Sequence, residues 1–145
     1  MQRFKFRLAP VRNLRQYAER EQKDVLAREQ HALRLLEQEA EALREAERQW
    51  SARYLRVCGA GAVPAEMMRI QSYLAELRAR RKDNAARIRE QTETVEQARE
   101  LLMTKMQARK TIDALYEKQI RLYHREQKIQ TEKEIEEQIA ARLHW

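Results

Sequence analysis

The sequence predicts an all-α protein, a long two-helix antiparallel coiled-coil hairpin with a C-terminal helical overhang. Three observations carry that expectation. The 145 residues hold only two glycines and two prolines, several-fold fewer than an ordinary soluble domain of this size. Charged residues make up 37% and hydrophobic ones 43%, with Ala, Leu, Glu, Arg and Gln dominant, which is the composition of long helices. Apolar residues also recur every seven positions along most of the chain. Sandwiches, dinucleotide-binding folds and P-loop enzymes are excluded, because they need glycines where strands turn or where phosphates are cradled.

The four turn-forming residues lie in two places and mark out one coiled-coil domain over residues 1–145. Pro10 suits the first turn of a helix, where its missing N–H costs nothing, so helix one is expected over about 8–57. A turn over 58–63 follows, in which Gly59 or Gly61 can take the left-handed conformation. Pro64 then opens helix two, which meets no breaker before about 143. At 1.5 Å per residue the helices come to roughly 75 Å and roughly 120 Å.

Along helix one, Val11, Ala18, Val25 and Ala32 share a heptad spacing. After a four-residue step Leu36, Leu43, Trp50 and Val57 share another, which reads as a stutter. Helix two carries a strict heptad series from Met67 through Ile70, Leu74 and Leu77 to Leu102. Beyond it the stripe is expected to drift to Leu101, Ala108, Leu115, Leu122 and Ile129. A short turn folds helix two back along helix one, with partner numbers summing to roughly 121. Leu43 then faces Leu77, Tyr54 faces Met67, and Arg121 to Trp145 is left without an intrachain partner.

Thirty basic residues against 23 acidic ones give a net charge of +7, a mixed surface that permits an acidic partner without demanding nucleic acid. Cys58 stands alone, so no intrachain disulfide forms, and a reducing compartment is expected. The basic N-terminus lacks the apolar run of a secretory signal, and no segment has the length of a membrane span, which points to the cytoplasm.

No catalytic, cofactor or metal constellation is evident. His31, His124 and His144 lie far apart, and none has a second ligand at helical spacing. Two basic clusters stand out instead. One holds Arg3, Lys5, Arg7, Arg12 and Arg15, with no acid before Glu19, and interleaves Phe4, Phe6 and Leu8. The hairpin brings it near Arg109, Lys110 and Lys118. The other spans Arg78 to Arg89 around a single acid, Asp83. Near the turn, Trp50, Tyr54 and Tyr73 form an aromatic group of the kind used at protein-binding hot spots, with Met67 and Met68 adding adaptable apolar surface.

Three stretches carry a resemblance. They are Phe4-x-Phe6-x-Leu8 with Val11 and Leu14; Val63 through Leu74 after the turn; and Lys110-x-Ile112-Asp113-x-Leu115-x-Glu117-Lys118 with Tyr123 and Glu126. In order, spacing and total length, the chain resembles the FliJ family of the bacterial flagellar type III export apparatus. The resemblance implies a non-enzymatic stalk or adaptor, similar to the central stalk of rotary ATPases. Such a protein enters the ring of the flagellar export ATPase, meets the cytoplasmic domain of the export gate protein, and is peripheral to the inner membrane. Carried over, Arg3, Lys5, Arg7, Arg109, Lys110 and Lys118 would face the ATPase ring, and Trp50, Tyr54, Tyr73 and Leu77 the gate. Whether the chain also escorts export chaperones is left open by the family pattern. The arginines at 78, 80 and 81 depart from that pattern. Two other readings compete: the homologous stalk of a virulence injectisome, and a basic coiled-coil arm for nucleic acid. Interspersed glutamates and the lack of a continuous basic stripe weigh against specific nucleic-acid binding.

Overall fold

The computed structural model describes residues 3–61 and 63–144. Two helices account for nearly all of them, α1 (Ala9–Gly59) and α2 (Pro64–Leu143), and no strand occurs among the described residues. The helices pack against each other as an antiparallel hairpin. At the start of α1 the Arg12 N–H donates to the Leu8 carbonyl at 2.9 Å, around a proline that has no N–H to satisfy. The helix runs on through Cys58 and Gly59, two residues past the expected end. Gly61, not Gly59, takes the left-handed conformation, with φ +74°, where a side chain would be strained. α2 then opens with the Glu66 N–H donating to the Val63 carbonyl at 3.0 Å.

The chain divides into two compact units, one formed by Gln22–Leu101 and the other by Met1–Glu21 with Leu102–Trp145. In the first, Ile70, Leu74 and Leu77 form a buried cluster against Leu43, Ala46, Trp50, Tyr54, Val57 and Tyr73. Leu77 is 2% exposed; burial of such a side chain stabilises by about 1.5–3 kcal/mol. Farther along the seam, amides replace leucines. Gln22 Nε2 donates to the Ala98 carbonyl at 3.1 Å, Gln91 Nε2 to the Glu29 carbonyl at 3.0 Å, and Asn84 Nδ2 to the Leu36 carbonyl at 3.2 Å. Gln91 and Asn84 also reach the carboxylates of Glu29 and Glu39. The sequence separations of the three carbonyl bonds are 76, 62 and 48, so the pairing moves by one heptad on each helix from one to the next. Tyr54 bonds Gln71, about one turn beyond the expected Met67.

The second unit has an ionic seam. Glu19, 5% exposed, accepts from Arg109, whose guanidinium also donates to Asp113 at 3.0 Å. Arg12 donates to Asp113 at 2.9 Å and lies 4.1 Å over the Tyr116 ring. Arg15 donates to the Ala108 carbonyl at 2.9 Å. These positions correct two expectations. α1 has no stutter: buried Glu19, Gln22 and Ala40 fall in one three-four alternation with half-buried Arg12, Arg15, Leu26, Glu29, Leu33, Leu36 and Leu43. Nor does the stripe on α2 drift, because Lys105, Arg109, Ile112, Tyr116 and Tyr123 continue the heptads, while Leu101, Leu122 and Ile129 stay about half exposed. Polar residues hold seam positions that an apolar pattern leaves blank, so neighbouring apolar residues made a false step in the spacing.

Residues 3–6 are extended, and their exposure alternates: Phe4, Phe6 and Leu8 are half-buried, while Arg3, Lys5 and Arg7 are exposed. Phe4 packs on Tyr116 and Tyr123 with ring centroids 5.9 and 5.3 Å apart, and Phe6 packs on Tyr116 at 5.3 Å. This strap corrects the expected start of the overhang. Extended chain advances about 3.3 Å per residue against 1.5 Å in a helix, so a few residues cover α2 well past position 120. Only after Gln127 is every described residue exposed.

Two predictions follow from the seams. Leu77→Ala should destabilise the protein by about 2–5 kcal/mol in urea unfolding followed by circular dichroism; a cost below about 1 kcal/mol would contradict the core described here. Asp113 is held below the ordinary carboxylate range, first by its bond from Arg12 and then by Arg109. A depressed value stabilises the fold above the unfolded pKa, and the gain disappears as pH falls through the folded one. Below about pH 4, therefore, the wild type should lose more of its urea midpoint than Asp113→Asn. Parallel losses in the two proteins would remove Asp113 from the ionic seam's energetics.

Candidate partner-docking surfaces

Near the turn, Trp50 and Tyr73 meet edge to face, with centroids 4.8 Å apart and planes at 61°. The Arg53 guanidinium stacks 4.9 Å from the Trp50 ring. Tyr54 accepts a 2.7 Å hydrogen bond from Gln71 Nε2. The three aromatics are half-buried, as expected when two helices are too few to cover such rings. A shallow groove lined by Trp50, Arg53, Glu66, Arg69 and Tyr73 runs beside them. Leu55, Val63 and Met68 are each about two-thirds exposed or more. The structure thus gathers Trp50, Tyr54 and Tyr73 on one cluster. Leu77 belongs to the same cluster but lies beneath it, so its side chain supports the surface without presenting itself to a partner.

In the other unit, Arg3, Lys5 and Arg7 form an exposed row on the strap, and Lys110 and Lys118 are exposed on α2. Arg109 differs from these. It is drawn into the seam by Glu19 and Asp113, whose hydrogen bonds raise its pKa. Its charge is matched within the chain, which sets it apart from the other five expected contacts. Sequence reasoning singled out Phe4 and Phe6 as a docking edge. Their dock is the chain's own Tyr116 and Tyr123, spaced seven apart, a pairing that only the returning helix reveals.

The second basic cluster is largely matched as well. Arg81 and Arg78 bond Glu47, whose pKa is lowered chiefly by the Arg81 hydrogen bond. Arg80 pairs with Glu76 at 2.8 Å and Arg87 with Asp83 at 3.2 Å. Exposed pairs like these contribute at most about 1 kcal/mol each, but they cancel the cationic field that the sequence suggests at Arg78–Arg89.

Among the described residues, no group of three or more His, Cys, Asp or Glu is placed to hold a metal ion. No helix among them is long and apolar enough to cross a membrane. Cys58 is exposed beside the turn.

Comparison with known proteins bears on these surfaces. The sequence model of the family described as Flagellar FliJ protein matches residues 4–145, which covers the strap, both helices and the turn. Neither a curated protein nor a solved structure gives a match. On the strength of that nearly full-length correspondence, the chain belongs to the FliJ family and is a protein of the flagellar type III export apparatus.

Proposed function

We propose that this chain is a non-enzymatic stalk of the export apparatus that binds the export ATPase ring through the basic strap and the cytoplasmic domain of the export gate through the aromatic surface. The observation that carries the reading is the strap. Its alternating backbone puts Arg3, Lys5 and Arg7 on one exposed side, while Phe4 and Phe6 anchor the other side to Tyr116 and Tyr123. Cations held on an ordered segment lose less freedom on binding than cations on a free tail. Lys110 and Lys118 extend the same charge on α2.

A stalk works by differential contact: it changes ring activity only by binding some subunit conformations better than others. An asymmetric hairpin with two chemically different surfaces suits that task, and so does the lack of any catalytic constellation in the sequence. Escort of export chaperones is a further role that the aromatic surface could serve, and it would compete with gate binding there.

Reversal of the strap in Arg3→Glu/Lys5→Glu/Arg7→Glu should weaken binding to the cognate ATPase ring by about tenfold or more at low salt and remove its effect on ATP turnover. Unchanged binding and turnover would sink the ring assignment. Tyr54→Ala/Tyr73→Ala should weaken binding to the gate domain by about tenfold with helicity retained. If affinity held, the gate contact would lie elsewhere.

A further inference from the structure

From Lys128 to His144 every residue is exposed, and Ile129, Ile135, Ile139 and Leu143 keep about half or more of their surface in water. An isolated helix of this length is marginal in water without a packing partner. Leu115, Leu122, Ile129 and Leu143 share a heptad position that lies off the intrachain seam, with Glu136 in the remaining place. The charges around that stripe are polarised along the chain. Arg121, Arg125 and Lys128 precede Ile129, and Glu132, Glu134 and Glu136 follow it.

We propose that this segment pairs antiparallel with the same segment of a second copy of the chain, about a two-fold axis between Gln130 and Thr131. In that register Leu122 meets Ile139 of the second copy, Arg125 meets its Glu136, and Glu126 flanks its Lys133. Each contact occurs twice by symmetry. A parallel pairing would instead stack Arg125 on Arg125 and Glu136 on Glu136, and like charges at close quarters oppose assembly. Antiparallel packing also sets the two helix dipoles head to tail. The overlap is about 27 Å of helix, a small interface, so the dimer is weak and its stability falls as salt rises. Leu122 also edges the groove beside Phe4, so the pairing abuts the strap and competes with any partner that grips this part of α2. The proposal rests on the α2 surface alone and does not depend on the ATPase or gate assignments.

Sedimentation of the full chain should show a monomer–dimer equilibrium that shifts toward monomer with added salt. Glu136→Arg should weaken the dimer by about tenfold or more, and Arg125→Glu/Glu136→Arg should restore it to within about threefold of wild type. In a Cys58→Ser background, Leu122→Cys with Ile139→Cys should yield an oxidised covalent dimer that neither single cysteine gives. A chain that stays monomeric up to about a millimolar would overturn the proposal. So would a dimer insensitive to Glu136→Arg, which would place the contact on another surface. Cross-linking by Leu122→Cys alone would mean a parallel pairing and overturn the register.

Discussion

In a two-helix hairpin the single seam is where a side chain can leave water, so every polar group placed there must find its partner across it. A sheet or a bundle offers several directions for a buried amide or carboxylate, whereas here there is one. Gln22, Asn84 and Gln91 meet the demand by donating to carbonyls of the opposite helix, using lone pairs that intrahelical bonding leaves over. Glu19 meets it through Arg109. Among the described residues no buried side-chain nitrogen or oxygen lacks a partner. An unmet donor or acceptor would cost about 1–3 kcal/mol, a large part of what one stripe per helix can supply. The polar seam residues therefore select the register in which all of them are satisfied, as single polar positions do in coiled coils.

The two units meet the same constraint with different chemistry. Residues Gln22–Leu101 combine an apolar cluster with neutral amides, interactions that respond little to salt or to pH near neutrality. In the other unit, Arg12, Glu19, Arg109 and Asp113 lie along the seam, where hydrogen-bonded charges give direction and specificity but are sensitive to acid and exposed to competition from a charged partner. Local opening is expected first where apolar contacts are fewest. The strap counters this by placing two phenylalanines over Tyr116 and Tyr123, adding apolar contact where the seam itself is ionic.

The hairpin was legible because turn-formers are scarce and clustered, and because the apolar heptads of α2 are dense between Ile70 and Leu102. The continuity of the seam was not. A search for apolar residues passes over Arg12, Arg15 and Glu19, and it finds a stutter in Val11 and its heptad mates that burial does not follow. The same blindness put a drift into α2, where Leu101, Leu122 and Ile129 looked like seam residues and proved half exposed. Of the expected contact residues, Leu77 and Arg109 were chosen for chemistry they do possess, but one is consumed by the core and the other by an ion pair. Neither fate can be seen without knowing which residue lies opposite. The strap was half legible: alternation of Phe4, Phe6 and Leu8 signals an extended edge, while its partners lie more than a hundred residues away.

Pairing also changes what a net charge of +7 means. Read linearly, Arg78–Arg89 is the denser basic cluster, yet Glu47, Glu76 and Asp83 neutralise four of its six cations locally. The N-terminal cluster is sorted by backbone geometry instead. Arg12 and Arg15, on a helix, turn inward to Asp113 and the Ala108 carbonyl. Arg3, Lys5 and Arg7, on extended chain, share one side because successive side chains there alternate. Three like charges about 7 Å apart lie within one Debye length of each other at physiological salt and act on a partner as one patch. The chain's outward positive field is thus set less by where its basic residues are dense than by where its acids cannot reach them.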